Sequence, residues 1–242
     1  MSMFFEEIDW RDTPMGELAL RRRFDRILDA EVFEVKLGDE FLMSSAFTVA
    51  EKELARLALT AVATGHISVL VGGLGLGYTT AAALEDPRVG TVVVVEALPA
   101  VIDWHQRDLL PDTAGLASDP RLTLVQHDFF ELCRGEDGFH VLGQDRFDAI
   151  LLDVDHTPRH LLHPSHASFY SRNGLQSVRR SLNPGGVFVL WSDDPPDEDF
   201  LADLSAVFPA SAAHVVAFPN PLTGSSSSNT VYVSAAKAQE AP

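Results

Sequence analysis

The stretch Ile67-Ser-Val-Leu-Val-Gly-Gly-Leu-Gly-Leu-Gly-Tyr-Thr-Thr80 leaves an apolar run, passes four glycines and enters a segment of helix formers. An unbroken run of aliphatic residues is what a strand buried on both faces of a parallel sheet presents. Glycines directly after such a strand let the backbone turn tightly and approach a ligand where a Cβ would collide. The segment reads as the first strand-to-helix turn of a doubly wound α/β domain, with Gly72, Gly73, Gly75 and Gly77 as candidate cofactor-binding residues. A tight turn without a ligand is the plain alternative. The nicotinamide-dinucleotide spacing G-x-G-x-x-G is not met, because Tyr78 stands where the third glycine is required.

Downstream, apolar and helical segments alternate: TVVVVE with AVIDWHQRDLL, RLTLVQ with FFELCR, FDAILLD with a segment reaching FYSRNGLQSVRRSL, and then GVFVLW. Five such strands imply a parallel sheet covered by helices on both faces. The tail offers AAHVVAF and NTVYVSA, predicted as an antiparallel pair at the sheet edge. Ser225 to Ser228 between them read as a flexible connector. Upstream, from Phe4 to about Ser45, the runs FFEEI, ELALRR, VFEVKL and EFLM are separated by turns at Thr13-Pro14 and Gly38-Asp39. They predict a small hairpin-built β cap over residues 1–47, with the main domain at 48–242. Thr48 and Glu51 match a capping box for the helix VAEKELARLALTAVA, which Gly65 is expected to end.

Acidic residues outnumber basic ones 35 to 18, a formal charge of -17 that repels a phosphate backbone or an anionic membrane and favours a cationic small molecule. Neither nucleic acid nor membrane is expected as a partner. Residues 57–84 carry no charge, yet their glycines divide them into helix end, strand and loop rather than a span. The single Cys133 and the absence of a leader pattern at Met1 point to the cytoplasm.

Glu96 closes the second strand, where a carboxylate faces the crevice that takes a ribose in doubly wound sheets. Asp128 follows the third strand and suits either an adenine amino group or the N-cap of the next helix. Past the fourth strand come Asp153, Asp155 and His156, the candidate catalytic residues, then His160, His163 and His166. Imidazole and carboxylate are metal ligands, but two prolines and the lack of one helical face argue against a metal site; one or two catalytic histidines, or packing histidines, are the alternatives, and no metal is expected. Asp193 and Asp194 read equally as a helix-capping turn or as substrate binders. Arg21 to Arg23 are split over two strand faces and read as solvent-exposed, while Trp104 and His105 read as packing residues.

Taken together, VLVGGLGLGY, VVVVEALPAVIDW, DPRLTLVQHDFFEL, FDAILLDVDHTP and FYSRNGLQSVRRSLNPGGVFVLWSDDPP resemble the spermidine synthase family, the polyamine aminopropyltransferases, over about Phe4 to Val233. The resemblance implies a Rossmann-like class I methyltransferase fold, a mostly parallel seven-stranded sheet with an antiparallel last strand. It further implies an S-adenosyl co-substrate, a small-molecule acceptor and a homodimer. It makes Glu96 the ribose acid, Asp128 the adenine-side acid and Asp153 the acceptor of the attacking amine's proton.

Three departures bear on the chemistry. The family's glycine loop carries an aspartate for the donor's amine, whereas GGLGLG has no acid. Met43, Ser44 and Ser45 replace a Tyr-His-Glu run, and Asp153-Val-Asp-His156 replaces D-x-x-D. A buried ammonium without a carboxylate is costly. The expectation is therefore methyl transfer from S-adenosylmethionine. Aminopropyl transfer from its decarboxylated form is the alternative, and a non-catalytic nucleoside-binding protein the second.

Overall fold

The computed structural model describes residues 5–63, 65–135 and 138–235, so the ends of both expected domains, 1–4 and 236–242, lie outside the described residues. Strands β1 (Phe5–Thr13), β2 (Gly16–Asp25), β3 (Ala30–Leu37) and β4 (Glu40–Ser44) form an antiparallel sheet in chain order. Period-two alternation gives this sheet one apolar face, and Leu18, Leu20, Val35 and Leu37 on it are buried in the same core as Leu54 and Ala58 of α1 (Val49–Ala61). The cap is thus packed onto the larger unit. The indole of the fully buried Trp104 also donates to Asp9 of β1 at 2.7 Å. Arg21, Arg22 and Arg23 pair with Glu7, Glu6 and Glu34 inside the cap.

The larger sheet has the order β10-β11-β9-β8-β5-β6-β7. Strands β5 (Ile67–Gly72), β6 (Val89–Glu96), β7 (Leu122–Gln126), β8 (Phe147–Leu152) and β9 (Leu182–Ser192) are parallel. The last strand, β11 (Ser225–Ala235), is antiparallel and inserts between β9 and the edge strand β10 (Ala210–Asn220). The strands buried on both faces sort their side chains by parity. Val69, Val71, Val92 and Val94 pack under α1, α2 (Tyr78–Leu84) and α3 (Pro99–Gln106). On the opposite face, Leu70, Val93, Val95 and Leu152 pack under α4 (Phe129–Arg134), α5 (Arg172–Arg180) and α6 (Glu198–Val207). This is the doubly wound α/β architecture, and its chain order reverses between β5 and β8, where such sheets open a crevice at their carboxyl ends. No helix of the described residues is long and apolar enough to cross a membrane.

Three local expectations are corrected. The Thr48 side chain caps nothing, so the capping box is absent, and α1 stops at Ala61 rather than at Gly65. Ser225 to Ser228 are strand, not connector, because the reversal is made by residues 221–224. Strand β11 pairs with β9 only over Thr230 to Ala235, whereas its pairing with β10 continues to Ser225 opposite Asn220. The hairpin therefore overhangs the sheet.

Candidate functional site

The glycine loop crosses the carboxyl ends of β5, β6 and β8. The Gly73 amide donates to Val95 at 2.9 Å and the Asp153 amide donates to Gly72 at 2.9 Å, which fastens the loop to both neighbouring strands. At Gly73, with φ of 91°, a Cβ would lie 2.3 Å from the Asp153 carbonyl oxygen. Gly77, at φ of 88°, packs directly on the ring of His105, whose Nε2 lies 2.9 Å from the Gly75 carbonyl. Close protein packing thus accounts for these two glycines before any ligand is considered.

Glu96 is buried at the end of β6, where its carboxylate accepts from the amides of Leu74 at 2.9 Å and Leu98 at 2.8 Å. Burial pushes its carboxyl above the usual range, and those amide donors oppose the shift. It braces the glycine loop from below. Asp128 caps α4, accepting from the Glu131 amide at 3.0 Å.

Beside the loop lies a cavity of about 640 Å³. Its floor is Leu74 to Tyr78, one wall is β4 with Met43 and Ser44, and its roof is the overhanging hairpin through Phe218, Asn220 and Ser226 to Asn229. Phe47 meets Phe218 at 5.5 Å between ring centroids, joining cap-side chain to roof. Glu51, Asp153 and Asp193 all line it, and no Lys or Arg does so among the described residues. Asp153 Oδ2 accepts from the Thr79 hydroxyl at 2.7 Å, and burial lifts its carboxyl to about 6. Glu51 is lifted to about 8, first by burial, then by the charges of Asp153 and Asp193.

Of the three candidate catalytic residues, Asp153 and His156 line the cavity, whereas Asp155 does not. The Asp155 side chain is inaccessible and accepts from the Leu162 amide, His166 Nδ1 and the Tyr170 hydroxyl, each at 2.8 Å. His156 Nε2 lies 3.2 Å from Glu40 of the cap, and His160 Nε2 shares that carboxylate at 3.5 Å. His166 instead stacks on Phe130 at 3.8 Å, and His163 turns to Ser165. The four histidines do not converge, and among the described residues no group of three or more His, Cys, Asp or Glu is arranged to hold a metal. Asp193 accepts from Asn229 at 2.7 Å on the cavity wall, while Asp194 contributes its carbonyl to Thr230.

Sequence reasoning missed Glu51, Trp191 and the hairpin residues. The signal for Glu51 was present but was assigned to helix capping. Because its carboxyl binds its proton more tightly in the folded chain, its stabilising contribution is full below pH 4.5 and disappears as pH rises through about 8. Glu51→Gln is therefore expected to raise Tm relative to wild type by a margin that grows across that window, reaching on the order of 5 °C. Thermal unfolding of both proteins from pH 5 to pH 9 checks this; a margin independent of pH would contradict it.

Residues 50–225 match the spermine/spermidine synthase domain model. The chain belongs to this family. Within the spermine/spermidine synthase family, it is 28% identical over 188 residues to the polyamine aminopropyltransferase of Mycobacterium tuberculosis, covering 78% of this chain and 33% of that protein. It is 26% identical over 191 residues to the polyamine aminopropyltransferase of an Enterobacter species, covering 77% of this chain and 57% of that one. The chain thus spans about a third to somewhat over half of the length of these relatives. Its fold is similar to spermidine synthase from Thermotoga maritima, with a TM-score of 0.71, 18% identity, and coverage of 96% of this chain and 72% of that one. Human methyltransferase-like protein 13 in complex with SAH gives a TM-score of 0.60 at 20% identity, covering 80% and 85%. This family member therefore has the Rossmann-like fold with an N-terminal four-stranded sheet that the resemblance implied.

Proposed function

We propose that this chain transfers an aminopropyl group from decarboxylated S-adenosylmethionine to a small amine. This reverses the preference for methyl transfer. The observation that carries it is a cavity lined by three acidic residues and, among the described residues, by no Lys or Arg, in a member of the spermine/spermidine synthase family. An aminopropyl donor and an amine acceptor are both cationic and suit that lining. The α-carboxylate of ordinary S-adenosylmethionine would meet like charge at low dielectric.

In this reading the glycine loop, Glu96 and Asp128 bind the nucleoside of the donor. The acceptor amine comes to Asp153, which takes its proton. The nitrogen lone pair attacks the aminopropyl carbon bonded to the sulfonium, a C–N bond forms, the C–S bond breaks, and sulfur keeps the pair as 5′-methylthioadenosine leaves. Holding nucleophile and carbon in line is the main task of the remaining walls. His156, tied to Glu40, closes the cap over the acceptor. A homodimer acting in the cytoplasm belongs to the same reading.

The test is product analysis by mass spectrometry, with either donor and with putrescine as the first acceptor. Formation of 5′-methylthioadenosine and an aminopropylated amine is expected from the decarboxylated donor. S-adenosylhomocysteine formed from S-adenosylmethionine would restore methyl transfer. Binding of both donors without product would favour a non-catalytic nucleoside-binding protein.

A further inference from the structure

We propose that Glu51, on the first turn of α1, holds the ammonium of the aminopropyl donor and so sets the choice between decarboxylated and ordinary S-adenosylmethionine. This rests on the aminopropyl-transfer reading and adds a residue to it. The glycine loop has no acid of its own, and the positive φ at Gly75 disfavours any side chain there. At Gly75, with φ of 50°, a Cβ would come within 2.9 Å of Met43 Sδ. Met43 thus occupies the place beside Gly75 that a loop side chain would enter.

Glu51 brings an acid to the same cavity from the first turn of α1. Its own carbonyl lies 3.3 Å from the Thr79 hydroxyl, which in turn donates to Asp153, so Glu51 and Asp153 are joined through one residue of α2. Glu51 lines the cavity together with Gly75 and Asp153, and the charges of Asp153 and Asp193 act on its carboxyl. The neighbouring Lys52 places its ammonium over the Tyr78 ring at 5.3 Å, and its charge offsets only part of the upward shift that burial and Asp153 impose on Glu51. With like charges around it and, among the described residues, no Lys or Arg in the lining, Glu51 holds a proton up to about pH 8, and a cationic guest lets it give that proton up. The division of labour that follows gives Glu51 the donor's ammonium and Asp153 the acceptor's proton. A donor that retained its α-carboxylate would bring a further acidic group to the same cavity and hold Glu51 in its protonated form.

Three ligands separate the possibilities: decarboxylated S-adenosylmethionine, S-adenosylmethionine, and 5′-methylthioadenosine, which has the nucleoside without the aminopropyl ammonium. Isothermal titration of the full chain without acceptor is expected to show that Glu51→Gln weakens the decarboxylated donor by about 10- to 100-fold, the range of a charge-assisted hydrogen bond, and leaves 5′-methylthioadenosine unchanged. The ratio of the two affinities is read, so a general loss of folding cancels. Titration of the wild type in buffers of different ionisation enthalpy should also show proton release on donor binding, lost in Glu51→Gln. An unchanged ratio in Glu51→Gln overturns the inference alone, and so does a variant that raises only the acceptor's KM. A wild type that binds 5′-methylthioadenosine but not the decarboxylated donor overturns the aminopropyl reading and the inference with it.

Discussion

Asp153→Asn is expected to lower turnover about a thousandfold while donor affinity stays within a few-fold, the signature of a lost general base rather than of lost binding. Asparagine keeps the volume and can still accept from the Thr79 hydroxyl, now 2.7 Å from Asp153 Oδ2, so the wall keeps its shape. What disappears is the proton acceptor. In the wild type that acceptor titrates at about 6, lifted by burial, so turnover should fall as pH drops below about 6, and any residual rate in the variant should lack that limb.

Stability separates this outcome from simple unfolding. The folded-state pKa lies above the ordinary 3.8, so the wild type gives up stability as pH rises through about 6. Asp153→Asn removes that loss, and its Tm at pH 8 should be no lower than that of the wild type. Single-turnover rates, donor titration and thermal unfolding on the same preparation check all three statements. Unchanged turnover would remove Asp153 from the reaction.

The central sheet was legible because its code is short-range. Strands β5 and β6 are apolar runs bounded by glycine or an acid, and their parity sorts Leu70 and Val71 to opposite faces without help from distant chain. The placement of Gly73, Glu96 and Asp128 at strand ends was legible for the same reason. The cavity was not. Its walls come from β4, α1 and a carboxyl-terminal hairpin, and nothing local in SSSSN tells a connector from a strand that overhangs a sheet. Glu51 shows the limit from another angle. A Thr-x-x-Glu spacing satisfies the capping rule locally, yet Thr48 makes no cap bond and the glutamate is recruited to the cavity by packing that sequence spacing does not encode.

The pair Asp153 and Asp155 is the sharpest case, because two residues apart in one acidic motif they do different work. If β8 continued, both carboxylates would share a face, but it ends at Leu152 and the period of two ends with it. Asp155 turns inward and collects the Leu162 amide, His166 and the Tyr170 hydroxyl, thereby closing residues 155–170 on themselves. Asp155→Ala leaves three donors without an acceptor in a place water does not reach. At about 1–3 kcal/mol for each orphaned group, partly relieved as the loop loosens, the expected loss is on the order of 3–5 kcal/mol. For a chain of this length that is a fall in Tm of about 10 °C. Asp155→Asn should lose less, since its oxygen can still take the Leu162 amide and the Tyr170 hydroxyl can become an acceptor for the new amide. Below its melting range the alanine variant should still bind the donor, because the Asp155 side chain turns away from the cavity and is not part of its lining. Thermal unfolding with donor titration decides the matter: a wild-type Tm combined with abolished turnover would return Asp155 to the chemistry.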